Sequence, residues 1–349
     1  MDISELLAFA VKSQASDLHI SPGEPPILRV HGDIKRIKVP PLTQEDTRAM
    51  IYDIMTDAQQ AKFEEGWQLD FSFPLGNLAR FRVNAYYLNR GVGAAFRQIP
   101  TEILTLEQLG VPQILYDLCE HERGLVLVTG PTGSGKSTTL AAMIDHINKN
   151  HQGHILTIED PIEFVHKPRS CLVTHREVGE HTHSFADALK AALRQDPDII
   201  LVGEMRDLET ISLAISAAET GHLVFGTLHT NSAAKTIDRI IDVFPAAEKE
   251  MVRAMLSESL QGVISQSLCK KASGGRVAAH DIMIGVPAVR NLIRENKIPQ
   301  ILSMQQTGSK YGMQTMDDSL KKLVEKKVIL VEEARAKAFN KSLFGGGNV

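Results

Sequence analysis

The residues best suited to chemistry form one glycine-rich segment, Gly-Pro-Thr-Gly-Ser-Gly-Lys-Ser, at residues 130–137. It matches the pattern GxxxxGK[ST], which binds phosphates when it connects a strand to a helix. Glycines let successive backbone N–H groups point at phosphate oxygens, and a following helix adds a favourable dipole. The segment therefore predicts a nucleoside triphosphate site.

The flanking sequence supplies the context that this motif requires. An apolar run at 125–128 predicts a strand, and a helical pattern covers 138–147. Lys136 is expected to reach the β- and γ-phosphates, and the Ser137 hydroxyl to ligate Mg²⁺. The predicted nucleotide-binding residues here are Gly130, Thr132, Gly133, Ser134, Gly135, Lys136, Ser137 and Thr138.

Two acidic segments follow further apolar runs. In the first, residues 198–204, Glu204 stands where an aspartate is usual and is expected to hold Mg²⁺ or orient water. In the second, Glu159, Asp160 and Glu163 lie at the carboxyl end of a predicted strand, where parallel sheets bind ligands. One of them could be a general base. A strand-ending acid and a solvated acidic loop remain the alternatives.

Histidines mark two further segments. His222 and His229 bracket an apolar strand, and His229, at its carboxyl end, is placed to sense phosphate. The cluster His175, His181 and His183 has charged neighbours, which favours an exposed loop over a metal site.

The elements that must position these residues indicate two domains. Short continuous apolar runs at 125–128, 155–158, 199–202 and 223–225 alternate with helical patterns, which is typical of a parallel sheet covered on both faces. Beyond residue 278 the pattern is mostly helical. The first 100 residues instead combine alternating strands at 28–30, 71–73 and 81–87 with helices at 3–12, capped by Ser4, and 43–64.

Composition excludes several classes of protein. The 349 residues carry a formal charge of -4, a pI near 6.4 and 5% aromatic residues, which weighs against a nucleic-acid motor. The three cysteines are far apart and form no CxxC pair, so the sequence supports neither a zinc site nor a disulfide framework. We find no secretion signal and no apolar run of the ~18 residues that a membrane span needs, so a cytoplasmic location is expected.

Taken together, the four motifs resemble one family, the secretion ATPases of type IV pili and type II secretion. Within it the chain looks like the PilT-type pilus retraction (twitching motility) ATPases. The segment Ala-Val-Arg-Asn-Leu-Ile-Arg-Glu, residues 288–295, resembles the retraction signature AIRNLIRE with one conservative change. The predicted PAS-like region starts almost at residue 1, and no tetracysteine insertion is found, whereas assembly and export ATPases usually carry an extra N-terminal domain and that insertion; both observations favour the retraction branch.

The resemblance implies a fold and a set of roles. It implies an α/β protein with a PAS-like α+β domain at 1–100 and a RecA-like P-loop ATPase domain at 113–341 with a helical C-terminal part. The residues themselves predict a linker at 101–112 and a disordered tail at 342–349. ATP and Mg²⁺ are the implied cofactors. The implied site residues are Glu163 as catalytic base, Glu204 as Walker B acid, His222 and His229 as the histidine box, and Arg82 and Arg97 on the γ-phosphate, with Arg80 competing.

The implied function is a homohexameric ring that hydrolyses ATP and pulls on the pilus. Its partners would be the inner-membrane platform protein and the pilus machinery, with membrane association only through them and no nucleic acid. Two related functions stay open, an accessory PilU-like retraction ATPase and a pilus assembly or type II secretion ATPase. A signalling GTPase is disfavoured because no NKxD tetrapeptide is present, and an ABC ATPase because Ser-Gly-Gly-Arg at 273–276 follows the Walker B strand.

Overall fold

The computed structural model describes residues 2–30, 33–76, 78–99 and 102–345, and the chain divides into two compact units between Glu102 and Ile103. Leu106, within the predicted linker, is only 2% exposed and packs in the core of the second unit. The second unit therefore begins earlier than Pro112, the end of the predicted linker.

The N-terminal unit is an antiparallel sheet with helices. In chain order it contains α1 (Ile3–Lys12), β1 (Asp17–Ile20), β2 (Ile27–Val30), β3 (Asp33–Arg36), α2 (Gln44–Asp53), α3 (Asp57–Gly66), β4 (Gln68–Leu75), β5 (Ala79–Leu88) and β6 (Gly91–Ile99). The strand order is β3-β2-β1-β6-β5-β4. Phe81 and Val83 of β5 face its core, as their alternation with polar residues predicts.

Two helix predictions in this unit need correction. The stretch 43–64 forms two helices, because Thr43 and Thr56 each make a capping box that starts a new helix. The cap of α1 is Asp2, whose carboxylate accepts from the Ser4 backbone N–H at 2.8 Å. Ser4 is thus inside the first turn.

The second unit contains the larger sheet. Its elements are α4 (Leu106–Leu109), α5 (Ile114–Cys119), β7 (Gly124–Thr129), α6 (Lys136–Asn150), β8 (His154–Glu159), β9 (Leu172–Glu177), α7 (Phe185–Ala192), β10 (Ile199–Val202), α8 (Leu208–Glu219), β11 (Leu223–Leu228), α9 (Ala233–Asp242), α10 (Lys249–Ser259), β12 (Leu260–Lys270), β13 (Arg276–Ile284), α11 (Pro287–Arg294), α12 (Ile301–Thr307), α13 (Met316–Glu325) and α14 (Val331–Lys337). Short 3₁₀ turns cover Ile298–Gln300, Ser309–Tyr311 and Lys341–Phe344.

The strand order of this sheet is β13-β12-β7-β11-β10-β8-β9, parallel except for the β12–β13 pair. Every residue of β7, β10 and β11 is buried, which confirms the parallel sheet predicted from the continuous apolar runs. β12 was not predicted, and β13 continues to Ile284, so the change to helices comes later than residue 278.

The C-terminal end is more ordered than the sequence indicates. The 3₁₀ turn Lys341–Phe344 packs Phe344 into an apolar cluster, where it is 6% exposed. The predicted disordered tail is therefore wrong for residues 342–344, because burial of this aromatic ring stabilises the turn. Residues 346–349 lie outside the described part of the chain.

The three cysteine thiols, those of Cys119, Cys171 and Cys269, are free and buried. Burial raises the pKa of all three, and that of Cys269 to about 11. Among the described residues, no helix is both long and apolar enough to cross a membrane.

Candidate functional site

One edge of the large sheet gathers most of the predicted site. In the parallel register Leu228 pairs with Thr129, Val202 with Gly226, and Ile158 with Val202. The carboxyl ends of β7, β11, β10 and β8 therefore lie side by side. The segments that follow these strands are 130–137, 229–230, 203–206 and 159–163, and ligands bind at this edge in parallel sheets.

The glycines of the phosphate-binding loop have steric reasons to be glycine. Gly130 has φ +141°, and a Cβ there would lie 2.4 Å from the Gln266 carbonyl oxygen. Gly135 has φ +87°, and its Cβ would lie 2.8 Å from the Gln266 amide nitrogen. The loop can curl against β12 only without these side chains. It delivers Lys136 to the start of α6, where Lys136 is 9% exposed and donates to the Gly130 carbonyl at 2.8 Å.

A glutamine on β12 braces this loop. The Gln266 amide donates to the Ser134 carbonyl at 2.7 Å, and its oxygen accepts from the Thr139 hydroxyl at 2.8 Å. Gln266 is 2% exposed, so both bonds are shielded from water. Sequence reasoning missed this residue. The available signal was a glutamine within the apolar stretch 263–269.

A chain of polar contacts joins three strand ends. Lys136 Nζ lies 3.5 Å from His229 Nδ1, and His229 Nε2 lies 2.8 Å from Glu204 Oε1. Arg206 also pairs with Glu204. Burial opposes ionisation of Glu204, but the hydrogen bonds and charges of Arg206 and His229 outweigh it and hold the pKa of Glu204 below its ordinary value. Glu204 is therefore a carboxylate at neutral pH.

Glu163 interacts electrostatically with Lys136, as Glu204 does. Burial lowers the pKa of Lys136, while the negative charges of Glu204 and Glu163 act in the opposite direction. Glu163 is exposed, and its backbone N–H donates to Glu159 Oε2 at 3.2 Å. The Glu163 carboxylate is exposed and interacts electrostatically with the phosphate-binding lysine, so it has the accessibility that a general base needs.

An open cleft of 720 Å³ lies against these groups. It is lined by Pro131, Thr132, Glu204, Met205, Arg206, Ile211, Leu228, His229, Thr230 and Arg239. Arg206 and Arg239 bring positive charge to a cleft that already contains part of the phosphate-binding loop, which suits an anionic ligand.

The structure does not bring His222 to this edge. His222 precedes β11, and its carbonyl accepts from the N–H of Gly124 at the start of β7. The six residues of β11 separate it from His229, about 20 Å at ~3.3 Å per residue. His222 thus lies at the opposite end of β11 from the phosphate-binding loop, and its role in nucleotide binding stays a prediction.

The loop prediction for the other histidines is wrong for His175. It lies on β9 with a side chain only 15% exposed, and its ring stacks on that of His166, centroids 5.8 Å apart. His181 is exposed and accepts from the Glu177 N–H at 3.0 Å. The charged neighbours of His175 indicated a loop, whereas they belong to β9, the edge strand of the sheet.

The predicted arginines belong to the N-terminal unit. Arg82 of β5 and Arg97 of β6 are directly opposite in the register. Arg97 Nε lies 2.9 Å from Asp17 Oδ1, and Arg82 Nε lies 3.9 Å from Asp70 Oδ1. Arg80, on the same face of β5 as Arg82, donates to the Ser72 hydroxyl. Their action on a γ-phosphate stays a prediction.

The segment 288–295 forms most of α11 and the residue that caps it. Val289 and Ile293 are fully buried. Arg290 donates to the carbonyls of Gly285 and Glu258, and Arg294 pairs with the Glu258 carboxylate at 2.6 Å. The two arginines thus tie α11 to the end of α10.

Comparison with known proteins defines the class. The family described as type II/IV secretion system protein matches residues 1–338, so the chain belongs to that family. Fold and site agree with it: a RecA-like P-loop core in the second unit and a PAS-like α+β domain in the first. The predicted fold class is confirmed.

The particular relatives identify the branch. The chain is 64% identical to the type IV pilus retraction ATPase PilT of Pseudomonas aeruginosa (strain PAO1) over 97% of this chain and 98% of that protein. A crystal structure of the pilus retraction motor PilT with bound ADP aligns with a TM-score of 0.92 and 51% identity, over 98% of each chain. The type IV pilus ATPase PilU of the same Pseudomonas strain is 41% identical over 97% of this chain and 89% of that protein. The chain is therefore a PilT-type retraction ATPase, as the resemblance predicts.

Proposed function

We propose that the chain hydrolyses Mg²⁺-ATP in the cleft at the carboxyl edge of the large sheet and uses the energy to retract a type IV pilus. The observation that carries the hydrolytic part is the convergence of Lys136, His229, Glu204 and Glu163 on one sheet edge. These groups supply a phosphate-binding cation, a carboxylate for a metal or water, and an exposed base.

The residues present suit Mg²⁺. Ser137 lies in the first turn of α6, and Glu204 is a carboxylate that follows β10, with β11 between β10 and the strand that precedes the phosphate-binding loop. Hydroxyl and carboxylate oxygens, completed by phosphate oxygens and water, are the ligands that Mg²⁺ prefers. When bound, the ion would neutralise charge developing on the transferred phosphoryl group.

The protein groups have separate tasks in this proposal. Backbone N–H groups of the loop 130–135 bind the phosphates, and Lys136 neutralises the β- and γ-phosphates. His229, held by the Glu204 carboxylate, lies between that acid and Lys136 and can respond to the γ-phosphate. Glu163 orients and deprotonates the attacking water.

Two substitutions test the site. Lys136→Ala is expected to abolish nucleotide binding, measured with a fluorescent ADP analogue. Glu163→Gln is expected to preserve that binding while lowering kcat by about 100-fold or more, in the range of general base catalysis. ATP hydrolysis that persists in the Lys136 variant would refute the assignment of the site.

The motor part of the proposal rests on the relatives named as pilus retraction ATPases. We propose a cytoplasmic homohexamer that docks on the inner-membrane platform of the pilus machine. A deletion strain is expected to show excess surface pili and to lose twitching, with both restored by the wild-type chain but not by the Lys136→Ala chain. Missing pili would instead indicate an assembly ATPase, and retained twitching an accessory role.

A further inference from the structure

The loop that carries Glu163 is held by side chains of the two strands at the end of the sheet. Its backbone N–H groups at Ile162, Glu163 and His166 each donate to a side chain. Glu177 Oε2 accepts from Ile162 at 3.1 Å, Glu159 Oε2 from Glu163 at 3.2 Å, and His175 Nε2 from His166 at 3.1 Å. The loop is therefore anchored on both sides of the exposed Glu163 carboxylate.

The two anchors from the edge strand β9 are themselves fixed. Glu177 is 3% exposed, and its own N–H donates to His181 Nδ1. His175 Nε2 lies 3.1 Å from the His166 backbone nitrogen and 3.3 Å from the His166 carbonyl oxygen, and its Nδ1 lies 2.8 Å from the hydroxyl of the fully buried Thr157. The ring also stacks on His166 with planes 14° apart. Both residues are therefore also bonded to groups outside the Glu163 loop.

We propose that Glu177 and His175 are positioning residues for catalysis, which hold the Glu163 loop at the distance and angle that water attack requires. This inference rests on the proposed role of Glu163 as general base. Exposed loops move unless their backbone groups are bonded, and a misplacement of about 1 Å in a catalytic group can lower the rate by ~10²-fold. Buried acceptors from a neighbouring strand prevent that movement.

The first test compares two substitutions at one position. Glu177→Ala removes the acceptor for Ile162 and is expected to lower kcat by about 10- to 100-fold, while the Kd of the ADP analogue changes by less than about threefold. Glu177→Gln retains an acceptor oxygen and is expected to keep kcat within about threefold of wild type. Thr174→Val is the matched control on β9, because the Thr174 hydroxyl bonds to His154 rather than to the loop.

The second test asks whether Glu177 acts through Glu163. In the double variant Glu163→Gln, Glu177→Ala, kcat is expected to equal that of Glu163→Gln alone, since a loop without its base has nothing left to position. If the two losses multiply, or if Glu177→Ala leaves kcat within twofold of wild type, the positioning role is refuted. If Glu163→Gln alone leaves kcat unchanged, the proposed base is wrong instead.

A second variant separates positioning from folding. His175→Phe keeps the stacked ring but has no acceptor for His166, and it is expected to lower kcat by about tenfold with nucleotide binding intact. Thermal unfolding of each variant is measured alongside. A loss of kcat that occurs only together with lost nucleotide binding would overturn the inference, because that pattern marks general destabilisation.

Discussion

Removing the Gln266 brace should weaken nucleotide binding without a direct change to any ligand contact. Gln266→Leu deletes two buried hydrogen bonds, to the Ser134 carbonyl and from the Thr139 hydroxyl. Leucine is similar in size, so the main effect is that two buried polar groups lose their partners. Each such group costs about 1–3 kcal/mol. The phosphate-binding loop therefore loses about 2–6 kcal/mol of stabilisation.

Part of this energy should appear as affinity, because the loop must be organised before it can bind phosphate. If reordering the loop on nucleotide binding costs about 2 kcal/mol, the binding free energy falls by that amount and the Kd rises by roughly 30-fold. The assay is equilibrium titration with a fluorescent ADP analogue, with thermal unfolding measured on the same samples.

The same chain offers a matched control for Gln266→Leu. Gln261, also on β12, donates to the Arg123 carbonyl at 2.8 Å, near the start of β7 and thus at the opposite sheet edge. Gln261→Leu should lower stability but leave the Kd within about twofold. Equal effects of the two substitutions on Kd, or no effect of either, would refute the bracing argument.

Two further predictions test the surroundings of the cleft. A Cβ at Gly226 would lie 2.4 Å from Met205 Sδ, so Gly226→Ala should displace the buried Met205 side chain next to Glu204, cost about 1–3 kcal/mol and lower kcat. Gly66→Ala, at the end of α3 with no atom within 4 Å, should leave kcat unchanged and raise stability by up to about 1 kcal/mol, because alanine is the better helix former. Unchanged kcat in Gly226→Ala would contradict this. Burial raises the pKa of Asp281 from 3.8 to about 6, so the contribution of this residue to stability falls as pH rises between these values. The stability of Asp281→Asn relative to wild type, measured by thermal unfolding, should therefore increase by up to about 3 kcal/mol between pH 3.5 and pH 7. A pH-independent difference would show that Asp281 does not titrate in that range.

Each part of the site that was predictable can be recognised from a short segment of sequence around it. The phosphate-binding loop follows from glycine spacing alone, and Glu204 and His229 follow from their positions after apolar strands. Gln266 was not predictable in this way, because it reaches the loop from β12, more than a hundred residues downstream, and its role depends on the strand order. A contact between residues that are far apart in sequence leaves no short sequence pattern by which to recognise it.

The errors have equally physical causes. The sequence did not show that His222 and His229 lie at opposite sheet edges, because the two are close along the chain but separated by the full length of β11. The loop prediction failed for His175 of β9 because an edge strand half-exposes its side chains and therefore lacks a continuous apolar run. A capping threonine divides the helical stretch 43–64, and the apolar pattern alone does not show such a break.

The buried thiols have a practical consequence for measuring movement in this protein. A thiol with a pKa of about 11, such as Cys269, is ionised in only about one molecule in 10⁴ at pH 7, and only the thiolate reacts with maleimide dyes. A pair of cysteines introduced at exposed positions should therefore take up donor and acceptor fluorophores selectively while all the native cysteines stay in place. Single-molecule distance measurements during ATP turnover then need no cysteine-free background.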